Sequence, residues 1–200
     1  MFTATRRKFT IDEYHRLVDL GFFTENDRIE LIRGEIIDMA PKRTPHSVCN
    51  SILFGELYRL LYDRANVRGQ EPITLLANSE PEPDVVIAKK KADNYLSAHP
   101  TVADIILVIE ISDSTLKYDK ETKLPLYAEA GINNYWIINL VDNHLEVYTN
   151  PFSSDRDKFG YRNKSIFLPN ETINIPNLTE VTLELNLILE KMILILDASW

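Results

Sequence analysis

The chain has one cysteine, Cys49, in 200 residues. An internal disulfide and a Cys-rich zinc site are thereby excluded, and Cys49 reads as a small core residue. No run approaches the roughly 18 to 20 uncharged apolar residues that a membrane helix needs. The opening "MFTATRRKFTIDEY" has no apolar signal segment, so a cytoplasmic protein without membrane contact is expected. Internal repeats, low-complexity tracts and linkers are also missing, and no basic strip is evident. With 22 Lys plus Arg against 30 Asp plus Glu, the formal charge is -8. That balance argues against a chain that coats nucleic acid by neutralising phosphates. It leaves room for a local basic groove, or for clustered carboxylates that await a metal.

What is present suits one globular domain: 44% of positions are hydrophobic and 26% charged, enough for a substantial core. A core over about 8–150 and a C-terminal extension over 151–200 are expected. "TIDEYHRLVDLG" opens with a capping box, Thr10 and Glu13, and stops at Gly21, which predicts a short helix. "RIELIRGEIIDMAP" reads as two strands around Arg33-Gly34, with Pro41 ending the second. From Pro45 to about Asn66, apolar residues at Val48, Ile52, Leu53, Leu57, Leu60 and Leu61 predict a long amphipathic helix. Strands follow at about 72–77, 84–88 and 104–111, with a polar link over 89–103. A helix over 119–130 ends at Gly131, and Pro125 fits it only in a first turn or at a kink. "NNYWIINL" and "NHLEVYTN" form a hairpin through "VDNH"; beyond them, Pro151, Pro169 and Pro176 separate short β-prone runs that read as edge strands and a cover. "NNYWIINL" and the apolar end "MILILDASW" also suggest a homodimer or higher homo-oligomer interface.

One carboxylate is conspicuous. "DIILVIEIS" is apolar on both faces, as a covered central strand is, so Glu110 sits on a dry face. A buried carboxylate must be protonated, paired or metal-bound. The preceding strand opens with Asp84 in "EPDVVIA", and antiparallel pairing of the two strands puts Asp84 beside Glu110 at one sheet edge. Oxygen ligation by a few carboxylates is what Mg²⁺ prefers. The plainer alternatives are a Lys or Arg pair for Glu110 and a turn cap for Asp84. A cation comes from "YDKETKLPLYAEAG", where Lys117, Lys120 and Lys123 all lie just past the Glu110 strand. A lysine there orients or deprotonates an attacking water, or stabilises developing phosphorane charge.

The blocks "IELIRGEIIDMAP", "PHSVCNSIL", "EPDVVIA", "DIILVIEISDSTLKYDKETKLPLYAEAGINNYWIINL" and "LEVY" resemble, in order, those of the bacterial Uma-two family of restriction-endonuclease-like proteins, over about residues 8–150. The resemblance implies an α/β restriction-endonuclease-like fold of the PD-(D/E)xK superfamily. Such a fold has a central mixed β-sheet flanked by helices, here with extra C-terminal β-strands. It also implies Mg²⁺-dependent cleavage of DNA, with Mn²⁺ as a substitute. Asp84 matches the family's "PD" aspartate and Glu110 the acid of the second motif. Ser112 stands where the superfamily's usual lysine would be; the resemblance moves that role to Lys123 and leaves Lys120 as an accessory. Glu30 corresponds to the acid of the early structural element, making a third metal carboxylate, and His46 to the histidine that opens the long helix. The expected site is thus Asp84, Glu110, Glu30 and Lys123, with His46 and Lys120 beside it. Tyr118 and Tyr127 are read as core residues before cleft residues. Asn139 departs from the family's aspartate, and Pro125 falls in the helix that carries Lys123. The rival class is a catalytically inactive nuclease-fold protein that binds nucleic acid or assembles with partners.

Overall fold

The computed structural model describes residues 6–24, 26–154 and 158–190. The segment "MILILDASW" lies outside the described residues.

Helix α1 (Ile11–Asp19) begins with the expected capping box: Glu13 N–H donates to Thr10 Oγ1 (3.2 Å) and Thr10 N–H to Glu13 Oε2 (3.1 Å). The hairpin β1 (Ile29–Ile32) and β2 (Glu35–Asp38) turns through Arg33 and Gly34, both left-handed at φ 49° and 79°. Gly34 is needed twice over there, because a Cβ would come within 2.6 Å of Lys8 Cβ. Helix α2 (Thr44–Leu61) follows with Pro45 in its first turn.

Strands β3 (Ala65–Gly69), β4 (Val85–Lys89) and β5 (Ile105–Ser112) lead to a crossover made of a short helix α3 (Leu116–Tyr118), a π-helical turn (Asp119–Lys123) and α4 (Leu124–Ala130). Next come β6 (Asn134–Asn139), β7 (His144–Ser153) and β8 (Phe159–Phe167), then a separate pair, β9 (Thr172–Ile175) and β10 (Leu178–Glu184). The central sheet is six-stranded and mixed, in the order β3-β4-β5-β6-β7-β8, with β5 and β6 parallel. That parallel step requires the crossover, and the crossover is what carries a lysine back over the end of β5.

The two faces of the sheet are covered differently. Val85, Ile87, Leu107, Ile109 and Ile111 pack with Cys49, Leu53, Leu57 and Leu61 of α2 and with Ile175 and Leu183 from β9 and β10. Val86, Val108, Ile137 and Tyr135 pack with Leu126 and Tyr127 of α4. Leu53, Leu57 and Leu61, one helical turn apart, are all 0% exposed; each contributes about 1.5–3 kcal/mol by burial.

Four expectations change. The segment 72–77 is not a strand: Thr74 and Leu75 make isolated bridges, and Leu76 is left-handed (φ 46°). The strand that pairs with β4 is instead β3, which starts at Ala65 and Asn66 where the expected helix ends; α2 stops at Leu61. Helix 119–130 is a π turn followed by α4, with Pro125 in α4's first turn and Gly131 as a left-handed cap (φ 83°). Pro151 does not separate strands: β7 runs through it, with Asn150 at φ 60° beside it, and β8 is the edge strand of the main sheet.

Candidate active site

Pairing in the β4–β5 ladder sets Val85 opposite Ile109, and the next residues outward are Asp84 and Glu110. Their backbones lock them together: Ile111 N–H donates to Asp84 Oδ2 (2.9 Å) and Asp84 N–H to Glu110 Oε2 (3.3 Å). Both acids are buried, Asp84 at 7% and Glu110 at 3% exposure. His46, at the start of α2, brings Nε2 to 3.0 Å from Asp84 Oδ2, while its buried Nδ1 has no hydrogen-bond partner among the described residues. The ring therefore serves Asp84, not the helix cap.

Lys123 ends the π turn and is itself buried. Its Nζ lies 3.0 Å from Glu110 Oε1 and 3.4 Å from Glu30 Oε2, and the Tyr127 hydroxyl donates to Glu110 Oε1 (2.7 Å). Glu30 is further engaged by Glu82 N–H (3.1 Å) and the Tyr118 hydroxyl (3.1 Å). Glu30, His46, Asp84, Glu110 and Lys123 thus converge on one cavity of about 290 Å³.

Lys120 does not join them. It faces the other way, with Nζ 2.7 Å from Glu146 Oε1 on β7. A three-residue step in a π turn of about 4.4 residues leaves the two lysines about a third of a turn apart, on different faces. Ser112, two residues past Glu110, donates from Oγ to Asp119 Oδ2 (2.7 Å) and so ties the first residue of the π turn to β5. Sequence reasoning passed over Asp119, Glu82 and Lys42. Lys42 was detectable only as a cation four residues before His46, with nothing in the spacing to aim it.

Burial pushes the Glu110 carboxyl up to about 8, against the pull of Lys123. Desolvation works against the Lys123 ammonium, yet Glu110, Glu30 and Asp119 hold it well above its usual value. Lys123 is therefore a fixed cation and not a base at neutral pH. Burial also opposes ionisation of Asp84, but His46 and the Ile111 N–H hold its carboxyl below the usual value. The result is an asymmetric acid pair.

Among the described residues no three His, Cys, Asp or Glu side chains are arranged to hold a metal ion. Glu30 has both oxygens engaged, Oε2 by Lys123 and the Glu82 N–H and Oε1 by the Tyr118 hydroxyl. Among the described residues, Asp84 Oδ1 by contrast accepts no hydrogen bond, and Glu110 Oε2 accepts only the long one from Asp84 N–H. Two carboxylates with open oxygens beside a cavity of about 290 Å³ fit a hard dication such as Mg²⁺, which keeps most of its waters.

These features define an α/β protein with a restriction-endonuclease-like fold and an acid-acid-lysine cavity at its sheet edge. The chain belongs to the family described as "Uma2: Putative restriction endonuclease", whose model matches residues 11–187. Its fold is similar to that in the "Crystal structure of a putative nuclease belonging to DUF820 from Anabaena variabilis ATCC 29413", at TM-score 0.69 and 17% identity, covering 92% of this chain and 99% of that one. No curated protein matches the chain significantly. No helix among the described residues is long and apolar enough to cross a membrane.

Proposed function

We propose that this chain is a divalent-metal-dependent endonuclease that hydrolyses DNA phosphodiester bonds in the cavity bounded by Asp84, Glu110 and Lys123. The observation that carries the reading is a lysine held dry between two carboxylates, directly beside an ionised aspartate with an open oxygen. Asp84 and Glu110 would hold the cation, and Mn²⁺ suits the same oxygen donors as Mg²⁺. When bound, that ion supplies a water of lowered pKa and neutralises charge on the phosphate. Lys123 presents its ammonium to the charge that develops on the phosphoryl oxygens. Glu30, with Tyr118 behind it, keeps Lys123 in place, and His46 fixes the orientation of Asp84 as an outer-shell partner does.

The second reading, a nuclease-fold binding module without catalysis, draws on the same geometry: Lys123 already neutralises Glu110 and Glu30 with no metal bound. The test is cleavage of supercoiled plasmid and of single-stranded DNA with Mg²⁺, with Mn²⁺ and with EDTA. Glu110→Ala and Lys123→Ala are prepared identically and checked for folding by circular dichroism. Metal-dependent nicking by the wild type, reduced about 10²-fold or more in both variants, is expected. Equal inertness of all three proteins under every condition would overturn the nuclease reading in favour of the binding module.

A further inference from the structure

The cavity presents a difficulty for any polyanion: seven carboxylates line it against four lysine or arginine side chains. Of those four, Lys123 is committed to Glu110 and Glu30. The rest, Arg28, Lys42 and Arg43, all belong to the open end of the β1–β2 hairpin and the loop that leads into α2. Met39 N–H donates to Arg28 O (2.8 Å), which closes that end and sets residue 28 across from the loop.

Two of these cations lack the partners their surroundings call for. The Lys42 side chain is only 21% exposed, yet its one ion pair among the described residues is with Asp84 Oδ1 at 3.9 Å, too long for a hydrogen bond. Arg28 is half-buried, and its guanidinium makes neither a hydrogen bond nor an ion pair among the described residues. The other half-buried guanidinium groups among the described residues are matched at short range, Arg33 with Glu129 and Arg68 with Glu71. Cations withdrawn from water without a matched acid fit an anion supplied from outside.

We infer that Arg28 and Lys42 form the phosphate-binding wall of the cavity, where the sugar-phosphate backbone of a nucleic acid is held against the Asp84–Glu110 edge. This rests on the nuclease reading for the place of entry, and it adds which residues touch the backbone. Arg28 offers a planar fork to one phosphate, and Lys42 stands between that phosphate and Asp84.

The test is fluorescence anisotropy of labelled single-stranded and duplex DNA oligonucleotides, in Ca²⁺ and in EDTA, at several salt concentrations. It compares the wild type with Arg28→Met, Lys42→Met and Lys42→Arg. Each Met variant is expected to bind several-fold more weakly. The slope of log Kd against log salt should fall by about one per cation removed, and Lys42→Arg should restore both. A purely structural role for Lys42 beside Asp84 would move the melting temperature and leave the salt slope unchanged. Unchanged Kd and slope in both Met variants, or no binding of either oligonucleotide by the wild type, overturns the wall. A wild type that binds through Arg28 and Lys42 but never cleaves keeps the wall and removes the nuclease reading. One that cleaves while both variants bind normally does the reverse.

Discussion

At the scale of single residues, Lys123 decides how the site behaves. Its side chain is 8% exposed and is the cation shared by Glu110 and Glu30, themselves 3% and 2% exposed. Removing one partner of a buried pair costs more than the pair contributes, because the remaining charges stay buried. Lys123→Met should therefore destabilise the fold by about 3–5 kcal/mol in urea unfolding followed by circular dichroism. Glu110→Gln added to it should recover part of that loss. The variant's pH dependence has a defined sign. Without the ammonium, nothing offsets the burial that already holds the Glu110 carboxyl above its ordinary range, so the folded state binds a proton that the unfolded chain has released. Stability should then be greatest below the ordinary 4.5 and fall as pH rises above it. A loss under about 1 kcal/mol with no such slope would mean the cluster is solvated. The acids were legible beforehand, since Glu110 interrupts an apolar strand and Asp84 opens its neighbour. Tyr118 and Tyr127 were legible only in part, since they read as core before cleft, and Lys42 was not, since a loop lysine reads as surface.

At the scale of elements, the π turn is the part the sequence hid. Apolar spacing over 119–130 is compatible with a plain helix, and one inserted residue changes the facing of Lys120 and Lys123 without altering composition. The turn is held from both sides, by Ser112 through Asp119 and by β7 through Glu146. Glu146 is 1% exposed and accepts from Lys120 (2.7 Å), Lys164 (2.9 Å) and Asn139 (3.1 Å), with His144 at 3.1 Å and the Tyr148 hydroxyl also engaged. Asn139 suits this cluster because its amide donates to Glu146 where an aspartate would repel. Burial works against ionisation of Glu146, but Lys120, Tyr148, Lys164 and His144 hold its carboxyl well below 4.5. A depressed acid stabilises the fold above its unfolded value and loses that contribution as pH falls. Glu146→Gln should cost about 1–3 kcal/mol at pH 7, with the gap to wild type narrowing as pH drops from about 5 to 3. A gap that stays constant across that range in parallel urea titrations would show that Glu146 is not the ionised anchor of the turn. Strand β3 was misplaced for a related reason. "ANVRG" is short, polar and an edge, so burial gives it no alternating signature, whereas the doubly covered β4 and β5 announce themselves as continuous apolar runs.

At the scale of the molecule, the -8 charge and the acid-rich cavity are one property seen twice. Net acidity keeps nucleic acid off most of the surface and concentrates negative potential where Asp84 and Glu110 end their strands. A dication bound there offsets the local excess, and a ligand that prefers the folded state raises stability by mass action. Mg²⁺ or Mn²⁺ should accordingly raise the melting temperature of the wild type in a dose-dependent way. The gain should approach about 2.7 kcal/mol when the ion is present at 100 times its Kd, and EDTA should abolish it. Asp84→Asn and Glu110→Gln should each suppress the effect, since each removes one of the two open carboxylates. Glu30→Gln should retain it, because both Glu30 oxygens are already engaged by Lys123, the Glu82 N–H and Tyr118. That last comparison separates the two-carboxylate arrangement from a three-acid site. If Glu30→Gln loses the metal response as fully as Asp84→Asn, the third acid moves to the ion when metal binds, and Lys123 must leave it to let that happen.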